Sequence, residues 1–346
     1  MRGFGFVAHG GPEQLRFVDV ADPEPGPDEV RIAVRAAAFN RLDRFTLAGI
    51  PGVAVALPHV LGSDGAGLVD RCGPGVADLA PGTRVLLNPG IWDGTCDACA
   101  RGEEALCRSY RIVGEHLQGT VAPYVVVPRR NVHPLPADLS FVTGAAAPLV
   151  FQTAWRALAT VGGVRRGDRV AIVGAGGGVA TAAIQVARLL GATVAVVSRS
   201  AEKGAKAVAL GADAYLPLDG EHPLDRGLWE WSEKRGVDVV FDSVGAPTLP
   251  RSVRALARGG RVVVIGATAG PVVELDVRTL FWRQASIRGS TMASAAEFDR
   301  VLDHLAAGRL VPVIDRELPF ERAADAFARF DDPGLFGKVV VTLPPL

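Results

Sequence analysis

The chain has 346 residues, 49% of them hydrophobic and 21% charged, which is too long for one ordinary core and describes a globular protein of two domains. Its 37 basic and 37 acidic side chains balance, so nothing in the charge favours nucleic acid or an anionic membrane. Only four cysteines are present and three crowd together, a usage that argues against a disulfide framework and fits a reducing compartment.

The first residues, Met1-Arg-Gly-Phe-Gly-Phe-Val-Ala-His9, hold no apolar stretch that would serve as a signal peptide, and a cytoplasmic protein is expected. Up to about residue 135 the chain is rich in Pro and Gly, with short runs such as Glu29-Val-Arg-Ile-Ala-Val-Arg35, Gly67–Arg71, Thr83–Leu87 and Tyr124–Val127. Short strands between turn residues predict a β-rich, barrel-like domain. Cys72 stands alone there and reads as a small core residue.

Inside this domain lies Asp93-Gly-Thr-Cys96-Asp-Ala-Cys99-Ala-Arg-Gly-Glu-Glu-Ala-Leu-Cys107. Three thiolates at this spacing suit tetrahedral zinc, and Asp93, three residues before Cys96, offers a carboxylate as the fourth ligand. Such a site is closed and therefore structural. The alternative is a set of reduced surface thiols, or the relic of a lost site.

Between about residues 150 and 290 strands alternate with helical patterns. The strands are predicted at Arg169–Ala175, Thr193–Arg199, Ala214–Leu218, Val237–Val244, Gly260–Gly266 and Ser286–Gly289, with helices such as Val179–Leu190 and Ala201–Leu210 between them. This alternation implies a six-stranded, doubly wound parallel sheet of the α/β class. The stretch Val170–Ala187 carries no charge and has the length of a bilayer span, but glycines interrupt it and it reads as strand, turn and helix. A helix at Ala295–Ala307 and a strand at Lys338–Leu343 return to the first domain, giving residues 1–148 with 292–346, and 149–291.

The turn Gly174-Ala-Gly-Gly177-Gly178-Val-Ala180 follows the first strand of this pattern, where glycines let the backbone approach a pyrophosphate and the next helix offers its amino-terminal amides. The second strand ends Ser198-Arg199-Ser200 without the acid that binds the ribose hydroxyls in an NAD site. Ser198, Arg199 and Lys203 fit a 2′-phosphate, so NADP(H) is expected; the alternative is that the two cations are solvated surface charges.

With the cysteine lobe (about residues 90–110), the glycine turn and the domain order together, the whole chain resembles the medium-chain dehydrogenase/reductase superfamily. Leu57-Pro-His-Val-Leu-Gly62-Ser-Asp64 and Gly337-Lys-Val-Val also carry the likeness. The resemblance implies a chaperonin-10-like β-barrel catalytic domain, a Rossmann domain, substrate in the cleft and a homodimer or homotetramer joined through an edge strand near Ser286–Gly289. It implies cofactor contacts at Gly174, Gly177, Gly178, Val179, Ser198, Arg199, Lys203 and Gly266. The positions that hold catalytic zinc in the family's alcohol dehydrogenases fall here on Asn40, Ser63-Asp64 and Leu149, a poor zinc set.

Asn40-x-x-Asp43 and Gly62-Ser-Asp64 are similar to the quinone oxidoreductase branch, although that branch generally lacks the cysteine lobe. The resemblance therefore implies an enzyme that reduces a quinone or a carbonyl-conjugated C=C without catalytic zinc. Asn40 would polarise the substrate oxygen or fix the nicotinamide, His116 would deliver a proton, and Thr153 would contact the nicotinamide end. Asp43 and Asp64 read as carboxylates that satisfy backbone amides. Three rivals stand beside this: an alcohol or aldehyde dehydrogenase whose zinc is held unusually, for instance by Asp64, His116 and Asp43; a nucleotide-binding sensor or structural protein with little turnover; and a metal-free cysteine lobe that would be floppy and weaken oligomerisation.

Overall fold

Val170, Ala171, Ile172 and Val173 are all buried, as are Val194–Val197 and Val239–Phe241, so these strands are covered on both faces. That is the burial a parallel sheet with helices on either side requires. The structure, a computed structural model, describes residues 1–345 and divides into two compact units. One is Met1–Leu149 with the segment from Ser294 on; the other is Val150–Ala293.

In the second unit six parallel strands lie in the order Ala214–Pro217, Thr193–Ser198, Arg169–Val173, Val237–Asp242, Leu256–Val264, Ser286–Gly289. The order reverses beside the first strand, so the switch point falls at the glycine turn. Several strands stop short of the sequence reading for local reasons. Gly174, at φ +92°, leaves the extended region, which ends the first strand at Val173. Asp242 accepts hydrogen bonds from the amides of Val244 and Gly245 and closes its own strand there. The fifth strand starts early, at Leu256, because that residue pairs with Val237 across a bulge.

The first unit is built on a mixed seven-stranded sheet. Its central strand, Glu29–Phe39, pairs antiparallel with Asp64–Cys72 on one side and with Lys338–Thr342 on the other. Phe4, Phe39 and Phe327 pack edge to face in the core beneath it, with Phe6 in the same cluster. The helix Ala295–Ala306 opens on a capping box in which the Ser294 hydroxyl accepts from the Glu297 amide. Among the described residues no helix is long and apolar enough to cross a membrane.

Candidate active site

Strand register makes the site. Ala38 of the central strand lies opposite Asp64, and Phe39 lies opposite Val339, so Asn40, Asp64 and Lys338 meet where three adjacent strands end. Lys338 donates to Asn40 Oδ1 at 2.5 Å and to Asp64 Oδ2 at 2.8 Å. Asn40 Nδ2 donates to the same Asp64 oxygen at 2.9 Å, and the Leu149 amide donates to Asp64 Oδ1 at 2.8 Å. Asp64 is fully buried and Lys338 is 3% exposed. A buried ion pair is tolerated only when further hydrogen bonds satisfy both partners, as here.

Asp43 sits beside this cluster and does what the sequence reading assigned to it: its carboxylate accepts from the backbone amides of Asn40 at 2.6 Å and Gly62 at 2.7 Å. Gly62 holds φ +94°, and a Cβ there would meet Val121 and Thr120, so the turn that aims its amide at Asp43 requires glycine. Burial pushes the Asp43 carboxyl up to about 7 against the pull of those two amides. A Cβ on Gly114 would strike the Gly62 carbonyl, which shows how closely the Gly114–His116 turn packs on Gly62–Ser63.

His116 Nδ1 accepts from the Ile112 amide at 3.2 Å, leaving Nε2–H as its free donor in the neutral ring. Burial, with Arg111 adding to it, lowers the His116 pKa, so the ring is neutral near pH 7. Its neighbour Glu115 is 8% exposed, and burial together with the Asp43 carboxylate pushes its carboxyl up to about 7. Between its unfolded value near 4.5 and that raised value the native state binds the extra proton, so Glu115 erodes stability as pH climbs through this window. Glu115→Gln is expected to raise the melting temperature at pH 8, by the equivalent of about 1–3 kcal/mol, and to leave it unchanged at pH 4. Thermal scans of both proteins across that range decide it; equal curves at pH 8 would show that Glu115 is solvated.

The cysteine lobe forms a second cluster. Asp93 Oδ1 accepts from the amides of Thr95 and Cys96 at 2.7 and 2.9 Å, which fixes the carboxylate. Cys96 and Cys99 Sγ are 3.6 Å apart, and Cys107 Sγ is 3.2 Å from Asp93 Oδ2. All four ligand atoms lie within 4.8 Å of one another. Zinc–sulfur bonds of about 2.3 Å give tetrahedron edges of about 3.8 Å, close to the 3.6 Å between Cys96 and Cys99 Sγ. Among the described residues this is the one group of three or more such ligands gathered so closely; Asp43, Asp64 and His116 do not form another.

In the second unit Gly177 is the N-cap of the helix Gly178–Leu189, and no side chain caps it. A Cβ on Gly177 would meet nothing within 4 Å, so space is open at the start of this helix, whose first amides have no side-chain cap. Gly174 lies beside Ser243 and Val244 of the loop that Asp242 braces, and Gly266 approaches Ser243 from the end of the fifth strand. These residues fit a dinucleotide's pyrophosphate. Ser198 ends the second strand, half of a local turn in which its hydroxyl accepts from the Ser200 amide; Arg199 is exposed and Lys203 opens the next helix. Thr153 is buried on the helix Pro148–Trp155.

Lys338 and Glu115 escaped the sequence reading. Lys338 lies in Gly337-Lys-Val-Val, quoted for the likeness alone, and the apolar run that follows it gives it no role. One signal was present: the chain uses 33 arginines and only four lysines, and retains lysine at this buried place. Glu115 gave no signal, since its perturbation comes from burial and from the Asp43 carboxylate, neither of which its sequence context shows.

The profile of the "Alcohol dehydrogenase GroES-like domain" family matches residues 26–137, and that of "Zinc-binding dehydrogenase" matches 178–307. Acryloyl-coenzyme A reductase of Sulfurisphaera tokodaii is 31% identical, over 96% of this chain and 97% of the relative. Quinone oxidoreductase of Homo sapiens is 28% identical, over 99% and 98%. The crystal structure of an NAD-dependent alcohol dehydrogenase is 43% identical, covers 99% of this chain and 100% of that one, and superposes with a TM-score of 0.94. The chain belongs to the medium-chain dehydrogenase/reductase superfamily, and it is an oxidoreductase.

Proposed function

We infer that the chain is an NADP(H)-dependent reductase of a quinone or a carbonyl-conjugated C=C, working without a catalytic metal. The carrying observation is the donor set around Asp64. Asn40, Ser63 and Leu149 supply neither thiolate nor imidazole, the Lys338 ammonium already holds the Asp64 carboxylate, and Asp43 is taken by two backbone amides. The likeness to enzymes named acryloyl-coenzyme A reductase and quinone oxidoreductase supports the same substrate class.

A nicotinamide, when bound, would supply a hydride. This chain's residues then have two tasks: to stabilise the oxygen that gains charge, and to hold a proton for the adjacent carbon. In the first unit Asn40 Nδ2–H and His116 Nε2–H are the donors for the oxygen, and the Glu115 carboxyl, titrating near neutrality, holds a proton next to His116; in the second unit Thr153 is assigned to the nicotinamide end. A panel of enones, enoyl thioesters, quinones and simple alcohols tests the reading. Turnover of the first three with NADPH is expected; oxidation of simple alcohols alone would overturn it.

Cofactor choice rests on the end of the second strand, although the 43% identical structure is described as NAD-dependent. Arg199→Ala is expected to raise KM for NADPH by about tenfold or more and leave KM for NADH unchanged, the cost of one charge-assisted contact to the 2′-phosphate. Steady-state kinetics with both cofactors measure this, and a wild-type preference for NADH would refute it. Zinc in the Asp93–Cys96–Cys99–Cys107 cluster and a cytoplasmic location belong to the same reading.

So does a homodimer. The edge strand Ser286–Gly289 is largely exposed, and the helix before it presents Phe281 and Trp282 at 66% and 70% exposure. A second copy pairing edge to edge would cover them isologously. Trp282→Asp is expected to shift the sedimentation coefficient to that of a monomer; an unchanged coefficient places the interface elsewhere.

A further inference from the structure

A carboxamide presents a carbonyl oxygen on one side and an NH2 group on the other, and a half-turn about its terminal bond exchanges them. Asn40 can act on a substrate oxygen only if the NH2 side is the one on offer. Its neighbours decide this. Lys338 is all donor, so it demands Asn40 Oδ1; Asp64 Oδ2 is all acceptor, so it demands Asn40 Nδ2. The reversed amide would set its NH2 against an ammonium and its carbonyl against a carboxylate, losing both bonds at once. In the observed setting Nδ2 spends one proton on Asp64 and keeps the second. The backbone amide of Asn40 is taken by Asp43.

We propose that Lys338 is a positioning residue: gripping both Asp64 Oδ2 and Asn40 Oδ1, it locks the Asn40 carboxamide so that an N–H, never the carbonyl, is offered to the substrate oxygen. The inference rests on the reductase reading given above. It also gives a reason for lysine here: three compact donors on one nitrogen can reach two acceptors that themselves share a hydrogen bond, whereas arginine's planar fork suits a single carboxylate.

The test uses the full chain with NADPH and an enone such as 2-cyclohexenone, in the variants Lys338→Met, Lys338→Arg, Asn40→Ala and the double Asn40→Ala/Lys338→Met. Lys338→Met is expected to lower kcat about thirtyfold to a hundredfold while KM and the NADPH Kd move less than about threefold, the size of losing one oriented donor. Lys338→Arg restores part of kcat. In the Asn40→Ala background, removing Lys338 costs less than about threefold more, since the group it orients is gone. Losses that multiply, or a Lys338→Met enzyme with wild-type kcat, overturn the proposal. Should Lys338→Met fail to fold, Lys338→Gln against Lys338→Arg carries the comparison, with Arg the faster.

A second readout needs no turnover. The chain has three asparagines, Asn40, Asn88 and Asn131, so 15N-asparagine labelling gives three side-chain NH2 signals, with Asn40 assigned by its alanine variant. The Asn40 pair is expected to exchange slowly with solvent in the wild type and faster, with shifted protons, once Lys338 is replaced. An Asn40 signal indifferent to Lys338 overturns the proposal whatever the kinetics. A responsive signal in an enzyme that reduces no enone or quinone would leave the positioning role standing and remove the reductase reading.

Discussion

Asp64→Ala is expected to destabilise the first unit by about 3–5 kcal/mol and to bring turnover to background. The carboxylate serves three donors at once: the Lys338 ammonium, the Asn40 carboxamide and the Leu149 amide. Its removal leaves an ammonium at 3% exposure with no counter-charge and two further buried N–H groups with reduced or no partners. Asp64→Asn should cost less, since an amide oxygen still accepts, but it meets Lys338 without charge. The double variant Asp64→Leu/Lys338→Met removes both ions and should recover much of the stability without recovering activity. Urea unfolding followed by tryptophan fluorescence, with NADPH turnover alongside, separates these outcomes. A double variant no more stable than Asp64→Ala would mean that the cost lies in the cavity rather than in the stranded charge.

What was legible in the sequence follows from how local each feature is. The glycine turn, the six strands of the second unit and the cysteine lobe are written in consecutive residues, and they stand where the sequence reading put them to within a few positions. Strand ends shifted where one residue's geometry took over, as at Gly174 and Asp242. The cluster around Asp64 is different in kind. Residues 40, 64 and 338 meet because three strands are neighbours in a given register, and Leu149 joins them from the first turn of the helix Pro148–Trp155, which no window of sequence contains. Asn40 and Asp64 could be matched by position in a family, and the amide that Asp64 satisfies was expected, but the lysine that holds both was not. The carboxamide is gripped on both sides, and the carboxylate neutralises a lysine that the apolar run Val339–Val341 concealed. Glu115 marks the same boundary: its carboxyl becomes a neutral-pH group through burial and a neighbouring charge, neither of which is a property of its sequence context.

Metal analysis of the purified chain is expected to give about one zinc per chain, and Cys107→Ser to abolish it. Zinc held at about a thousand times its Kd adds about 4 kcal/mol to the folded state, so the variant and the chelated wild type should both melt well below the holoprotein. Proteolysis should then concentrate between residues 93 and 107, because the short helix Asp97–Ala100 and the turn at Glu104–Leu106 hold few buried side chains apart from the ion. The effect extends beyond the lobe. Glu104 Oε2 accepts from the Ala295 amide at 3.1 Å, at the first turn of the helix Ala295–Ala306, so a slack lobe withdraws one cap from the segment by which the chain re-enters the first unit. Asp93→Cys should keep the metal and bind it more tightly, four thiolates being the softer set, whereas Asp93→Ala should weaken it. In all of these kcat at low temperature is expected to hold, since four protein ligands leave zinc no open position for a substrate. Two zincs per chain, or a chelator that stops turnover while the melting temperature stays where it was, would put a metal in the chemistry and displace the Asn40–Asp64–Lys338 account.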